Sequence, residues 1–104
     1  MSKESEMVTT RVTHSVKIHA PYFELLAAGK KTFEIRFDDR AYQEGDRVVA
    51  REVEWLEGER DAYGNYMRIF FTGRCLTYTI GHITDYKQLD GYVVWSCHDV
   101  EVVA

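Results

Sequence analysis

A change of period at one glycine constrains this chain more than any other feature. Tyr22-Phe23-Glu24-Leu25-Leu26-Ala27-Ala28 is a short apolar segment that reads as a two-turn helix. Gly29 follows it, at the position where a helix-ending glycine takes the left-handed conformation. Beyond Gly29 the pattern alternates. Phe33 and Ile35 fall on one side, and Thr32, Glu34 and Arg36 on the other. This predicts a half-buried strand with Phe33 and Ile35 toward the core. Glu34 and Arg36 then share its polar face, about 6.6–7 Å apart, and Lys31 stands at the strand's mouth. Packing alone requires the two apolar residues; it does not require a lysine, an acid and an arginine beside them.

The rest of the chain is dominated by strand patterns. Residues 1–10 are a polar lead-in expected to be flexible, and residues 11–104 form a single domain. From Arg11 to His19, Val12, His14, Val16 and Ile18 alternate with polar residues, which predicts a first strand. Pro21 suits the first turn of the helix that follows. Tyr22, Phe23, Leu26 and Ala27 give that helix an apolar side. A polar turn at Asp38-Asp39-Arg40 and an irregular segment closing on Gly45 lead to a long strand over Arg47–Leu56. Glu57–Asn65 is a turn-rich connection. Tyr66–Ile80 returns as a strand long enough to need a bend, for which Gly73 is the natural site. Gly81–Asp90 is expected to be a loop, and Gly91–Val103 a last strand. The sum is an α+β, mainly β architecture: a small, curled, mixed sheet or barrel with one or two short helices.

The chain has 104 residues, enough for one core. Its formal net charge is −4, so its overall field does not draw in nucleic acid; such a contact needs a local basic patch. No stretch is apolar enough for a membrane span and the N-terminus lacks a signal core, so a soluble, cytoplasmic protein is expected. Cys75 and Cys97 lie far apart without metal-ligand spacing and are expected as free, buried thiols. His14, His19, His82 and His98 share no ligand spacing either. Neither a metal nor a cofactor is expected. Asp39 and Asp46 are assigned to turns, and Lys17 to solvated surface charge.

Several residues together resemble a known family. His14-x-x-Lys17-Ile18, Tyr22-Phe23, Gly29-Lys30-Lys31-Thr32-Phe33-Glu34-Ile35-Arg36, Asp39-Arg40-x-Tyr42, Gly45-Asp46 and Gly91-Tyr92-Val93-Val94 occur in order. The set resembles a small bacterial and phage family of unknown function among the ASCH domains of the PUA-like superfamily. Gly29, Lys31, Glu34 and Arg36 match the ASCH signature Gly-x-Lys-x-x-Glu-x-Arg. The resemblance implies a PUA-like β-barrel with a cleft beside the first helix, lined by the motif's Lys, Glu and Arg. It also implies a nucleotide or RNA ligand, including one with a modified base. Some ASCH proteins look like small hydrolases, one group acting on acetylated cytidine and another described as a ribonuclease. That amidohydrolase group has a Thr where this chain has Glu34, and a longer downstream helix than Gly81–Asp90 allows.

The chemistry of the trio agrees with a nucleotide ligand. Arg36 can fork onto phosphate or a base edge, Glu34 can accept from an exocyclic amine, and Lys31 can hold phosphate as a point charge. Lys30 and Arg40 extend the basic rim, and Tyr22 can stack on a base. Tyr92 stands as core or cleft wall. The favoured expectation is therefore a binding module for a nucleotide or RNA using Lys30, Lys31, Glu34, Arg36, Arg40 and Tyr22, with no reading of DNA grooves. The alternatives are a hydrolase with Lys31 as base and Glu34 in an acid/base role, and a protein-binding adaptor using an exposed apolar patch. Thr32 and Thr84 are poorly placed as nucleophiles for the hydrolase, and Cys75 beside Arg74 is not enough for one.

Overall fold

Five strands build one curled sheet in the computed structural model, which describes residues 11–55 and 69–104. The elements are β1 (Thr13–His19), α1 (Ala20–Ala27), β2 (Phe33–Phe37), β3 (Arg47–Trp55), β4 (Ile69–Thr84) and β5 (Tyr92–Val102). The tail at 1–10 and the connection at Glu57–Asn65 lie outside the described residues. The sheet order is β1-β3-β4-β5-β2. The β1–β3 pair is parallel and the other three pairs are antiparallel. The expected mainly β, α+β architecture is the one observed, in the form of a half-barrel. β1 and β2 are its two edges.

Alternation places the core. Val16 and Ile18 of β1, Val48 and Ala50 of β3, Leu76, Tyr78 and Ile80 of β4, and Trp95 and Cys97 of β5 all point into the curve. α1 packs against β1, β3 and β5 and adds Phe23 and Leu26. Tyr22 and Ala27, expected on the helix's apolar side, are exposed instead. Around the helix they flank Leu26 and Phe23, and only that central strip faces the sheet. In the core the Trp95 indole N–H donates to the Tyr78 hydroxyl at 3.1 Å, so neither polar group is buried without a partner.

β4 is bent where the sequence requires it. Gly73 has φ of 94°, and the β3–β4 register shifts between Arg51 and Val53. Opposite this bulge Glu52, in phase with Val48 and Ala50, and its neighbour Val53 are both buried, and the Thr72 hydroxyl donates to the Glu52 carboxylate. The expectation of a loop from Gly81 is corrected, because β4 continues to Thr84. Its pairing with β5 shifts register between Thr77 and Thr79 and again between Ile80 and Ile83. Gly81 there lies under the Ser96 and His98 side chains, each 2.3 Å from where a Cβ would sit.

Gly91 ends the loop before β5 and has φ of 84°. Its carbonyl accepts from the Asp38 amide at 2.9 Å, and a Cβ on it would meet the Phe37 ring at 2.5 Å. Gly91→Ala should therefore destabilise the fold by about 1–3 kcal/mol, through the left-handed backbone and the displaced ring. Urea unfolding measures this as a lower midpoint at unchanged slope.

Candidate functional site

The end of α1 aims the first functional side chain. The Gly29 amide donates to the Leu26 carbonyl at 3.1 Å, and the Lys30 amide to the Leu25 carbonyl at 2.9 Å. This pair of bonds, with Gly29 at φ of 74°, is a Schellman motif. It turns the chain sharply, so that Lys31 faces the gap between the sheet's two edges. Lys30 points away: its amide closes the motif, and its side chain is exposed outside the cleft.

β2 has the predicted alternation but the opposite orientation. Glu34 is 4% exposed and faces inward, whereas Phe33, Ile35 and Phe37 are 44%, 53% and 53% exposed. The expectation that Phe33 and Ile35 form core is thus overturned. β2 is an edge strand, and its inner face looks into the unclosed side of the half-barrel. The Glu34 carboxylate sits there between two cations. Lys31 Nζ donates to Oε2 at 2.8 Å and Arg36 Nε to Oε1 at 3.2 Å. A carboxylate has about four acceptor positions, and these two bonds leave it capacity for more. Lys31 is further held over the rings of Tyr22 and Phe33, 4.5 and 5.4 Å from their centroids.

Arginines bridge the gap between the sheet's edges. Arg36 Nη2 donates to the Lys17 carbonyl of β1 at 2.8 Å. Arg40 Nη1 donates to the Ser15 carbonyl. The edge of β1 is therefore capped by guanidinium groups rather than by a neighbouring strand.

The gap is a cleft of about 680 Å³. Of the six residues expected at a site, Tyr22, Lys31, Glu34, Arg36 and Arg40 border it, and Lys30 does not. Lys17, assigned to open surface, also borders it, as do Asp39 and Tyr92. Lys17 does so with its backbone carbonyl, its side chain alternating outward between buried Val16 and Ile18. Lys31, Arg36 and Arg40 thus accompany Glu34 and Asp39, a local excess of one positive charge on a chain of net charge −4. The sequence reading missed His19, Trp55, Phe37 and Tyr42 as cleft residues. His19 and Trp55 meet because β1 and β3 run parallel, with His19 opposite Val53. That pairing between distant segments leaves no local signal.

Tyr42 is held in place from behind. The Asp38 carboxylate accepts from its amide at 3.1 Å, and its ring packs 4.6 Å from those of His14 and Trp95. Burial raises the Tyr42 hydroxyl above its ordinary value, against the opposing charges of Arg40 and Arg36. Behind Glu34, burial first and then the Glu34 charge push the Cys97 thiol up to about 12. Cys97 is a protonated thiol at neutral pH and not a nucleophile. Cys75 is partly exposed, short of the burial expected of both thiols, and both cysteines are free. Among the described residues, no Ser, Thr or Cys borders the cleft, and no three His, Cys, Asp or Glu side chains gather as a metal site. No helix among them is long and apolar enough to cross a membrane.

The chain is similar to proteins without an assigned activity. An uncharacterized 12.9 kDa protein in the GpA 3' region of Escherichia phage P2 is 38% identical over 82 residues, 78% of this chain. The match spans 63% of that relative's length. A family model described as a domain of unknown function, DUF3850, matches residues 13–97, which include every residue of the cleft. The chain belongs to the DUF3850 family.

Proposed function

We propose that this is an ASCH-type, PUA-like domain whose cleft binds a nucleotide or a short single strand of RNA. One observation carries the proposal: a carboxylate buried between a lysine and an arginine on the inner face of an edge strand, at the floor of a positively charged cleft. Burying an ion triad rarely helps a fold compared with apolar residues of the same size. Its presence is better explained by a ligand with both charge and hydrogen-bonding edges. The local positive excess suits phosphate. The remaining acceptor capacity of Glu34 suits an exocyclic amine, such as that of cytosine. Tyr22, Phe37 and Tyr92 offer ring faces at the rim.

Binding is favoured over hydrolysis by two facts. No Ser, Thr or Cys borders the cleft among the described residues, and the Lys31 ammonium is engaged by Glu34 and two aromatic rings.

Calorimetric titration with CMP and UMP tests the proposal. CMP should bind more tightly than UMP, and Glu34→Gln should abolish the difference. Arg40→Ala should weaken both about tenfold, as expected for loss of one charge-assisted contact. Absence of binding at millimolar nucleotide, or indifference to both substitutions, would refute the proposal. Release of acetate from acetylated cytidine, lost in Lys31→Ala and Glu34→Ala, would replace it with the hydrolase.

A further inference from the structure

The cleft is a stripe, and its groups are ordered along β1. Arg40 meets the carbonyl of Ser15, and Arg36 meets that of Lys17 two residues further on. Beyond Arg36 comes Lys31, which covers Tyr22, and Tyr22 lies 6.1 Å from the ring of His19. Each two-residue step of β1 is about 6.6 Å, a distance comparable to one nucleotide step of an extended single strand. Three cations in file therefore lead to an aromatic cluster at the helix end. Within that cluster the His19 and Trp55 rings are stacked, with centroids 3.6 Å apart and planes at 21°. Both rings border the cleft. Nucleic acid is held without groove reading by this combination, a cationic track with ring faces along it.

We propose that the His19–Trp55 stack is a second base-binding subsite, and that the cleft therefore takes a single-stranded oligonucleotide of at least two residues. This rests on the nucleotide-binding function proposed above. One ring meets Glu34 at the cleft floor; the next lies against the stacked pair at the helix end.

The test compares CMP with the dinucleotide CpC, each of which carries one phosphate, so a gain for CpC reads the second ring rather than added charge. CpC should bind at least about tenfold more tightly, the effect of one stacked base. His19→Ala and Trp55→Leu should each lower CpC affinity by a factor at least tenfold larger than any change for CMP. Trp55→Phe, which keeps a ring face, should retain most of the gain. Tryptophan fluorescence gives a second readout. Trp95, the other tryptophan, is 1% exposed in the core, so quenching by CpC reports on Trp55. Equal affinity for CMP and CpC, or equal losses for both in the variants, would overturn the second subsite and leave nucleotide binding standing. If neither ligand binds, both proposals fall.

Discussion

Glu34→Ala should lower stability by about 3 kcal/mol and remove measurable binding of CMP. The stability figure is the low end of the range for removing one partner of a buried pair, because the side chains of Lys31 and Arg36 keep 16% and 21% exposure. Without the carboxylate, two cations face each other across a low-dielectric floor, and the donors Lys31 Nζ and Arg36 Nε lose their acceptors. Glu34→Gln retains the shape and one acceptor, so its loss of stability should be smaller. Its amide cannot balance the two charges. Chemical denaturation of the three proteins should give midpoints in the order wild type, Glu34→Gln, Glu34→Ala.

Asp46→Ala should cost about 3–5 kcal/mol, as large an effect on stability, although Asp46 lies outside the cleft, because three donors lose their acceptor at about 1–3 kcal/mol for each that stays buried. Its carboxylate is 3% exposed and accepts from His14 Nε2 at 2.8 Å, the Gln43 amide at 3.1 Å and the Val12 amide at 3.3 Å. These bonds fasten the start of β1 to the turn before β3. The substitution leaves the buried His14 ring without its acceptor. His14 also packs against Tyr42, so the cleft wall loses support. Burial pushes the Asp46 carboxyl up, but the bonds from His14, Val12 and Gln43 outweigh it and hold the group below its ordinary value of 3.8. A depressed folded pKa contributes stability that is complete above the unfolded value and is lost as pH falls through the folded one. Wild type should therefore lose this contribution below about pH 4, and Asp46→Ala should lack that part of the acid transition. Thermal melts between pH 2 and pH 6 on the two proteins measure the difference.

The legible parts of this chain were those set by local chemistry. β1 followed from alternation, the end of α1 from Gly29, and the bend in β4 from Gly73. The motif residues Lys31, Glu34 and Arg36 do meet at one place. What alternation cannot supply is which face of a strand looks inward. In β2 the apolar face is the exposed one, because the inner face of this edge strand opens on the cleft and carries its own charge balance. Similarly, Gly81 looked like the start of a loop because a glycine in a strand pattern signals a break; here it makes room for side chains of β5. His19 and Trp55 meet at the cleft only through the parallel β1–β3 pairing, and Lys17 reaches it only because Arg36 spans the gap to its carbonyl. Lys30 was drawn in by its place in the motif, yet the Schellman turn directs it outward.

The inward-facing trio should serve a ligand and not the fold. Replacing Lys31, Glu34 and Arg36 together by methionine tests it most directly, because removing the whole triad leaves no orphaned charge and supplies apolar volume in its place. The triple variant should fold, be as stable as wild type or more so in urea, and no longer bind CMP at concentrations saturating the wild type. A triple variant that unfolds, or that binds CMP as the wild type does, would contradict it.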